Sequence, residues 1–143
     1  MSDISLDGLQ KCYDQLQNIG NQIAKKMAIK YREMLCEEYT RSVDDLFYDA
    51  YEPKVYKRTY SLKNSYRPFY KNPHGNIVRG GVEFCSDKMG EHEVDNNYIL
   101  GLALSGYHGN KSIYTSPTLY NHMISYRNFL VADAQAICDS VYN

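Results

Sequence analysis

Apolar residues recur every third or fourth position through the first third of the chain: Leu6, Leu9, Cys12, Leu16, Ile19, Ile23, Met27, Tyr31, Met34, Leu35, Tyr39, Val43 and Leu46. Lys, Glu, Asp, Gln and Asn fill most positions between them, so one stripe of a long α-helix faces a partner. Ser2, Asp3 and Ser5 can cap it, and Gly20 is its weak point, costing about 1 kcal/mol against alanine and marking a candidate bend. At ~1.5 Å per residue such a helix reaches about 60 Å, too long for a compact domain with a radius of gyration near ~14 Å. Either it bends or breaks, or its end projects to meet another subunit. Pro53 stops the pattern within a few residues of Tyr51, because proline lacks the helical amide and pushes Glu52 towards extended geometry.

The period then changes. Val55, Lys57, Thr59 and Ser61 alternate with Tyr56, Arg58, Tyr60 and Leu62, which predicts a strand with one aromatic face. Segments 66–70 and 77–85 carry further strand residues around the turn chemistry of Asn72-Pro73-His74-Gly75, and Gly80-Gly81 suggests a bulge or kink. Residues 87–97 read as a polar loop. The apolar run YILGLALS, 98–105, is either a buried strand or a short helix, and Gly106 and Gly109 bracket Tyr107-His108 as a turn. Ser116-Pro117 predicts a helix start, and Leu119, Met123, Tyr126, Leu130, Ala134, Ile137 and Val141 continue at helical spacing. The expected architecture is α+β in a single domain over 1–143: a long amphipathic helix over 1–51, strands, loops and a short element over 53–115, and a C-terminal helix over 116–143.

Composition narrows the functional classes. The net charge of -1 gives no whole-protein attraction to nucleic acid or an anionic membrane. Fifteen Tyr against four Phe and no Trp means that most aromatic bulk carries a hydroxyl, which suits half-wet contacts between subunits. Cys12, Cys36, Cys85 and Cys138 form no close pair, and the opening MSDISLDGLQ is polar where a signal peptide would be basic and then apolar. Free thiols in a reducing compartment are expected, with no membrane span.

No constellation points to catalysis, and none to a metal or cofactor. His74, His92, His108 and His122 stand singly, without His-x-x-x-His or Cys-x-x-Cys, and Gly80-Gly81 leads to Val82-Glu83 and not to a phosphate-cradling Lys-Ser or Lys-Thr. Glu37-Glu38 and Asp44-Asp45 read as a solvated face of the first helix.

The order of elements resembles the neck and tail-completion proteins of tailed bacteriophages, the subunits that join head to tail. The residues that carry the resemblance are Pro53, Thr59, Leu62 and Ser65, then Tyr98, Gly106, Tyr107 and Gly109, then Pro117; Thr59-Tyr60 departs from the family's usual Thr-Gly. The resemblance implies a non-enzymatic virion protein of the neck, present in host cytoplasm during assembly. It implies a homo-oligomeric ring between portal or connector and tail-tube proteins, touching nucleic acid only as the passing genome. Its candidate interface residues are Tyr51, Pro53, Tyr56, Lys57, Arg58, Thr59, Tyr60, Leu62 and Tyr107.

One patch supports a different reading. Lys54, Lys57, Arg58, Lys63, Arg67 and Lys71 are interleaved with Tyr56, Tyr60, Tyr66 and Tyr70 without an intervening acid, the mixture a single-stranded nucleic-acid groove uses. A small nucleic-acid-binding module is therefore the alternative. Against it, Glu33, Glu37, Glu38, Asp44, Asp45 and Asp49 give the first helix an acidic surface that could meet the basic patch of a neighbouring copy, as a ring's two unlike faces require.

Overall fold

The computed structural model describes residues 6–49, 61–74, 77–90, 95–108, 113–114 and 118–142. Its spine is α1, Leu6–Val43, a helix of 38 residues and so about 57 Å long. It runs through Gly20 without a break. Asp44–Tyr48 add one wider turn, closed by the Asp49 amide on the Asp44 carbonyl at 2.8 Å. The expected stop near Pro53, and the strand expected from Val55 onward, lie outside the described residues except for Ser61 and Leu62. Those two open a 3₁₀ turn, Ser61–Asn64, and are not strand.

β1, Tyr66–His74, pairs antiparallel with β2, Ile77–Phe84, in a two-stranded sheet. The expected turn at 72–75 is narrower, since β1 continues through Asn72 and Pro73 to His74. The irregularity falls between Lys71 and His74 and not at the glycines, because Gly80 pairs in register with Tyr70 and Gly81 with Phe69. The two glycines serve packing. A Cβ on Gly80 would stand 2.1 Å from the Ala28 carbonyl oxygen, and one on Gly81 would stand 3.1 Å from the Phe69 ring. Gly80 thus lets the backbone of β2 cross directly over α1.

The apolar run resolves as a helix, α2, Asn96–Leu104, which the Asp95 side chain caps by accepting from the Asn97 amide at 2.7 Å. Its start takes the end of the expected polar loop. Gly106 follows with φ 91°, the left-handed geometry that glycine supplies at a helix end. Tyr107–His108 are not a turn but a short strand, β3, paired with β4, Ile113–Tyr114.

The C-terminal helix begins at Leu119, capped by Thr118, whose hydroxyl accepts from the Asn121 amide at 3.1 Å; Ser116 and Pro117 lie outside the described residues. It is two segments, α3, Leu119–Ala132, and α4, Ala134–Tyr142, joined at Asp133. Both lie against α1. The core gathers where they meet the hairpin: Tyr39, Val43, Phe47, Ala103, Leu119 and Met123 are buried, with Leu35, Leu62, Tyr66, Val82 and Phe84 packed onto them. Helices and a small antiparallel sheet on one spine make the α+β fold.

Gly80→Ala should destabilise the chain by about 3 kcal/mol in urea denaturation, because backbone and not a flexible side chain opposes the new methyl. Gly101→Ala in α2 meets open space and should stabilise it by about 0.5–1 kcal/mol.

Candidate interaction surfaces

The segment carrying most candidate residues enters the described structure at Leu62. Tyr39 has no exposed surface, and a buried hydroxyl must find a partner. It donates to the Ser65 hydroxyl, which in turn donates to the Leu62 carbonyl at 2.6 Å. The Ser65 amide bonds the same carbonyl at 3.1 Å, and its own carbonyl takes the Cys85 amide at 2.8 Å. Ser65 is fully buried and Leu62 packs onto the core, so these two residues of the resemblance work inside the subunit. Tyr51, Pro53, Tyr56, Lys57, Arg58, Thr59 and Tyr60 lie outside the described residues, and Tyr107 is described only as backbone of β3.

Half of the basic patch is visible, and it is engaged. Lys63 meets Asp44 at 2.6 Å and stands 5.6 Å from the Tyr48 ring, Arg67 meets Asp87 at 2.8 Å, and Lys71 meets Glu83 at 3.7 Å. Among the described residues, the acidic helix end and the basic segment therefore meet at Asp44 and Lys63. Glu33, Glu37, Asp45 and Asp49 remain on the surface of α1 and its extra turn.

Glu38 departs from the expected solvated face. It is buried between α1 and α3, bonded to Arg41 and to Ser42, and its Oε1 lies 2.8 Å from His122 Nε2. His122 is not a lone histidine. The carboxylate holds the Arg41 guanidinium firmly charged, through their hydrogen bond first and their opposite charges second. Tyr126 stands close by, its hydroxyl pushed up by burial and then by the Glu38 charge. No sequence signal links residues so far apart along the chain.

Among the described residues, the first half of α1 leaves an apolar stripe exposed. Leu6 is 84% exposed, Leu9 52%, Tyr13 61%, Leu16 70% and Ile19 48%. Tyr13 was absent from the expected stripe, yet the spacing 6, 9, 13, 16 signals it. Beyond Ala28 the same helix is covered by β2, α3 and α4. A separate open groove of about 410 Å³ lies between α1, β2 and α3, lined by Leu35, Phe69, Val82, Leu130 and Val131 with Arg127 on its wall. Among the described residues all four cysteines are free, no group of His, Cys, Asp and Glu could hold a metal ion, and no helix is long and apolar enough to cross a membrane.

Two measurements check this geometry. Burial raises the Tyr39 hydroxyl from 10.0 to about 12, with the Ser65 bond opposing the shift. The folded value lies above the unfolded one, so its contribution is complete below pH 10.0 and is lost as pH rises towards 12. Stability should fall across that window by on the order of 2 kcal/mol, and less so in Tyr39→Phe, as followed by urea denaturation at stepped pH. His122→Ala should cost about 1–3 kcal/mol by leaving the Glu38 carboxylate short of a partner, and the double change Glu38→Leu, His122→Leu should recover most of it.

Compared with protein-family models, curated proteins and solved structures, the chain matches none of them.

Proposed function

We propose that this chain is a non-enzymatic assembly subunit, and that its assembly is the neck joining head to tail in a tailed bacteriophage or prophage. The observation that carries the assembly reading is the open stripe of α1. Soluble monomers seldom leave a contiguous apolar stripe in water, and such a surface marks a contact still to be made. A ring subunit needs two unlike faces. The acids that stay exposed along α1 and its extra turn, Glu33, Glu37, Asp45 and Asp49, supply one, and the segment of Lys54, Lys57 and Arg58 supplies the other.

The assignment to a neck rests on the sequence resemblance through Pro53, Thr59, Leu62 and Ser65. The described end of that motif supports it in one respect: the bonds from Tyr39 and Cys85 to Ser65 hold the segment's exit rigidly against the core. The alternative, a nucleic-acid module, is weakened by the ion pairs of Lys63, Arg67 and Lys71, which satisfy half of its cations within the chain.

Changing Tyr56 and Tyr60 together to Ala should block joining of heads to tails in particles while leaving a folded subunit, because exposed ion pairs supply only ~0–1 kcal/mol and the rings carry the contact. Lys57→Glu should weaken assembly less, and more at low salt. Normal particles from the double tyrosine variant would sink the neck interface. Tight, salt-sensitive binding of single-stranded oligonucleotides that Arg58→Ala abolishes would support the alternative.

A further inference from the structure

We infer that the free subunit is a dimer in which the first half of α1 pairs antiparallel with the same stretch of a second copy. Leu6, Leu9, Tyr13, Leu16, Gly20, Ile23 and Met27 follow one another at alternating spacings of three and four, the repeat of a helix-to-helix seam. Among the described residues the first part of that seam is bare, from Leu6 to Ile19.

The occupant is a helix. Tyr13 and Tyr31 lie 18 residues apart, as do Gly20 and Glu38, which is about five turns and therefore the same line along α1. On that line Tyr31 donates to the Leu130 carbonyl at 3.4 Å and Glu38 meets His122, so helices α3 and α4 already fill the seam's second half. The bare half continues an interface that accepts helices. A lipid surface fits poorly, because residues 6–20 carry one cation, Lys11, against Asp7 and Asp14.

The direction follows from bulk. In a parallel pair the two bodies would collide, since each carries α3 and α4 on the face that the partner helix would have to occupy. Antiparallel pairing sends the bodies to opposite ends. The register with Tyr13 opposite Leu16 of the second copy sets Leu9 against Gly20, where an added Cβ would find nothing within 4 Å in the single chain. The missing side chain of Gly20 is then the hole that Leu9 fills. Such a pair covers on the order of 1,000 Å² in total, at the lower end for specific association, which makes it a reversible dimer that a later assembly partner can displace. The inference shares the open stripe with the assembly reading but does not depend on the neck assignment.

Sedimentation velocity of the full chain from 1 to about 100 μM tests it. The expected result is a monomer–dimer equilibrium whose dissociation constant rises about 100-fold or more in Leu16→Asp, with the far-UV spectrum of the body retained. Gly20→Leu improves helix propensity at an exposed position whose Cβ has open space in the single chain, yet should weaken the dimer at least about 10-fold by filling the hole. In a Cys12→Ser background, mixing Tyr13→Cys with Leu16→Cys should give the mixed cross-link on mild oxidation. A wild-type chain that stays monomeric throughout would overturn the pairing, as would 13–13 and 16–16 cross-links in place of the mixed one, a dimer indifferent to Leu16→Asp, or binding to phosphatidylglycerol vesicles that Leu16→Asp abolishes. Each of these leaves the neck reading to the particle assay.

Discussion

A tyrosine with no exposed surface has to dispose of a hydroxyl, and the way Tyr39 does so sets the geometry of the body. Its bond reaches Ser65, and Ser65 holds both the Leu62 carbonyl before β1 and the Cys85 amide after β2. Both outer ends of the hairpin are therefore tied to one point on α1. With the ends fixed, the regular pairing of β1 and β2 carries Gly80 to the backbone of Ala28, where only the absence of a Cβ allows contact. The Tyr39 ring meanwhile packs at 5.1 Å from Tyr66 and 5.9 Å from Phe84, one from each strand, so the polar knot and the aromatic core reinforce each other.

Ala28 is also where α1 changes role. Downstream of it the helix is half of a two-sided core, with strands on one side and α3 and α4 on another. Upstream it is a lone amphipathic helix, and such a stretch gains little from propensity alone, with Gly20 in its middle. Its helicity is borrowed from the body, which nucleates the first turns, and is consolidated only by whatever covers Leu9, Tyr13 and Leu16. In the dimer proposed above, folding of the arm and pairing are coupled: the contact that hides the stripe also consolidates its helix.

The sequence made the periodic parts of this fold legible and the non-local parts illegible. Thirteen stripe positions came from spacing and a strand pair around 72–75 from residue types and turn chemistry, because both are local properties, whereas the alternation that predicted a strand to Leu62 ends in a 3₁₀ turn. YILGLALS stayed open between helix and strand, since an apolar run of that length fits either; what decides is the Asp95 cap just before it and the positive φ of Gly106 just after. Gly80-Gly81 signalled an irregular strand, whereas its cause is the close approach of α1, a tertiary fact that no run of residues encodes. The inward role of Leu62 and Ser65 and the pairing of Glu38 with His122 were equally hidden, since each depends on residues brought together from distant parts of the chain.

A long apolar stripe poses a problem of register, and the Glu38 cluster answers it. Since the stripe continues unchanged from Tyr31 back to Leu6, helices α3 and α4 could slide along it and still bury leucines and methionines. A buried carboxylate removes that freedom. Only the register that places His122 at Glu38 gives the carboxylate its third partner beside Arg41 and Ser42, and any slide leaves it one bond short, at a cost of about 1–3 kcal/mol. A polar group that adds little net stability thus selects one alignment among several nearly equal ones. That alignment fixes how far α4 reaches along α1, and so leaves the apolar side chains from Leu6 to Ile19 exposed.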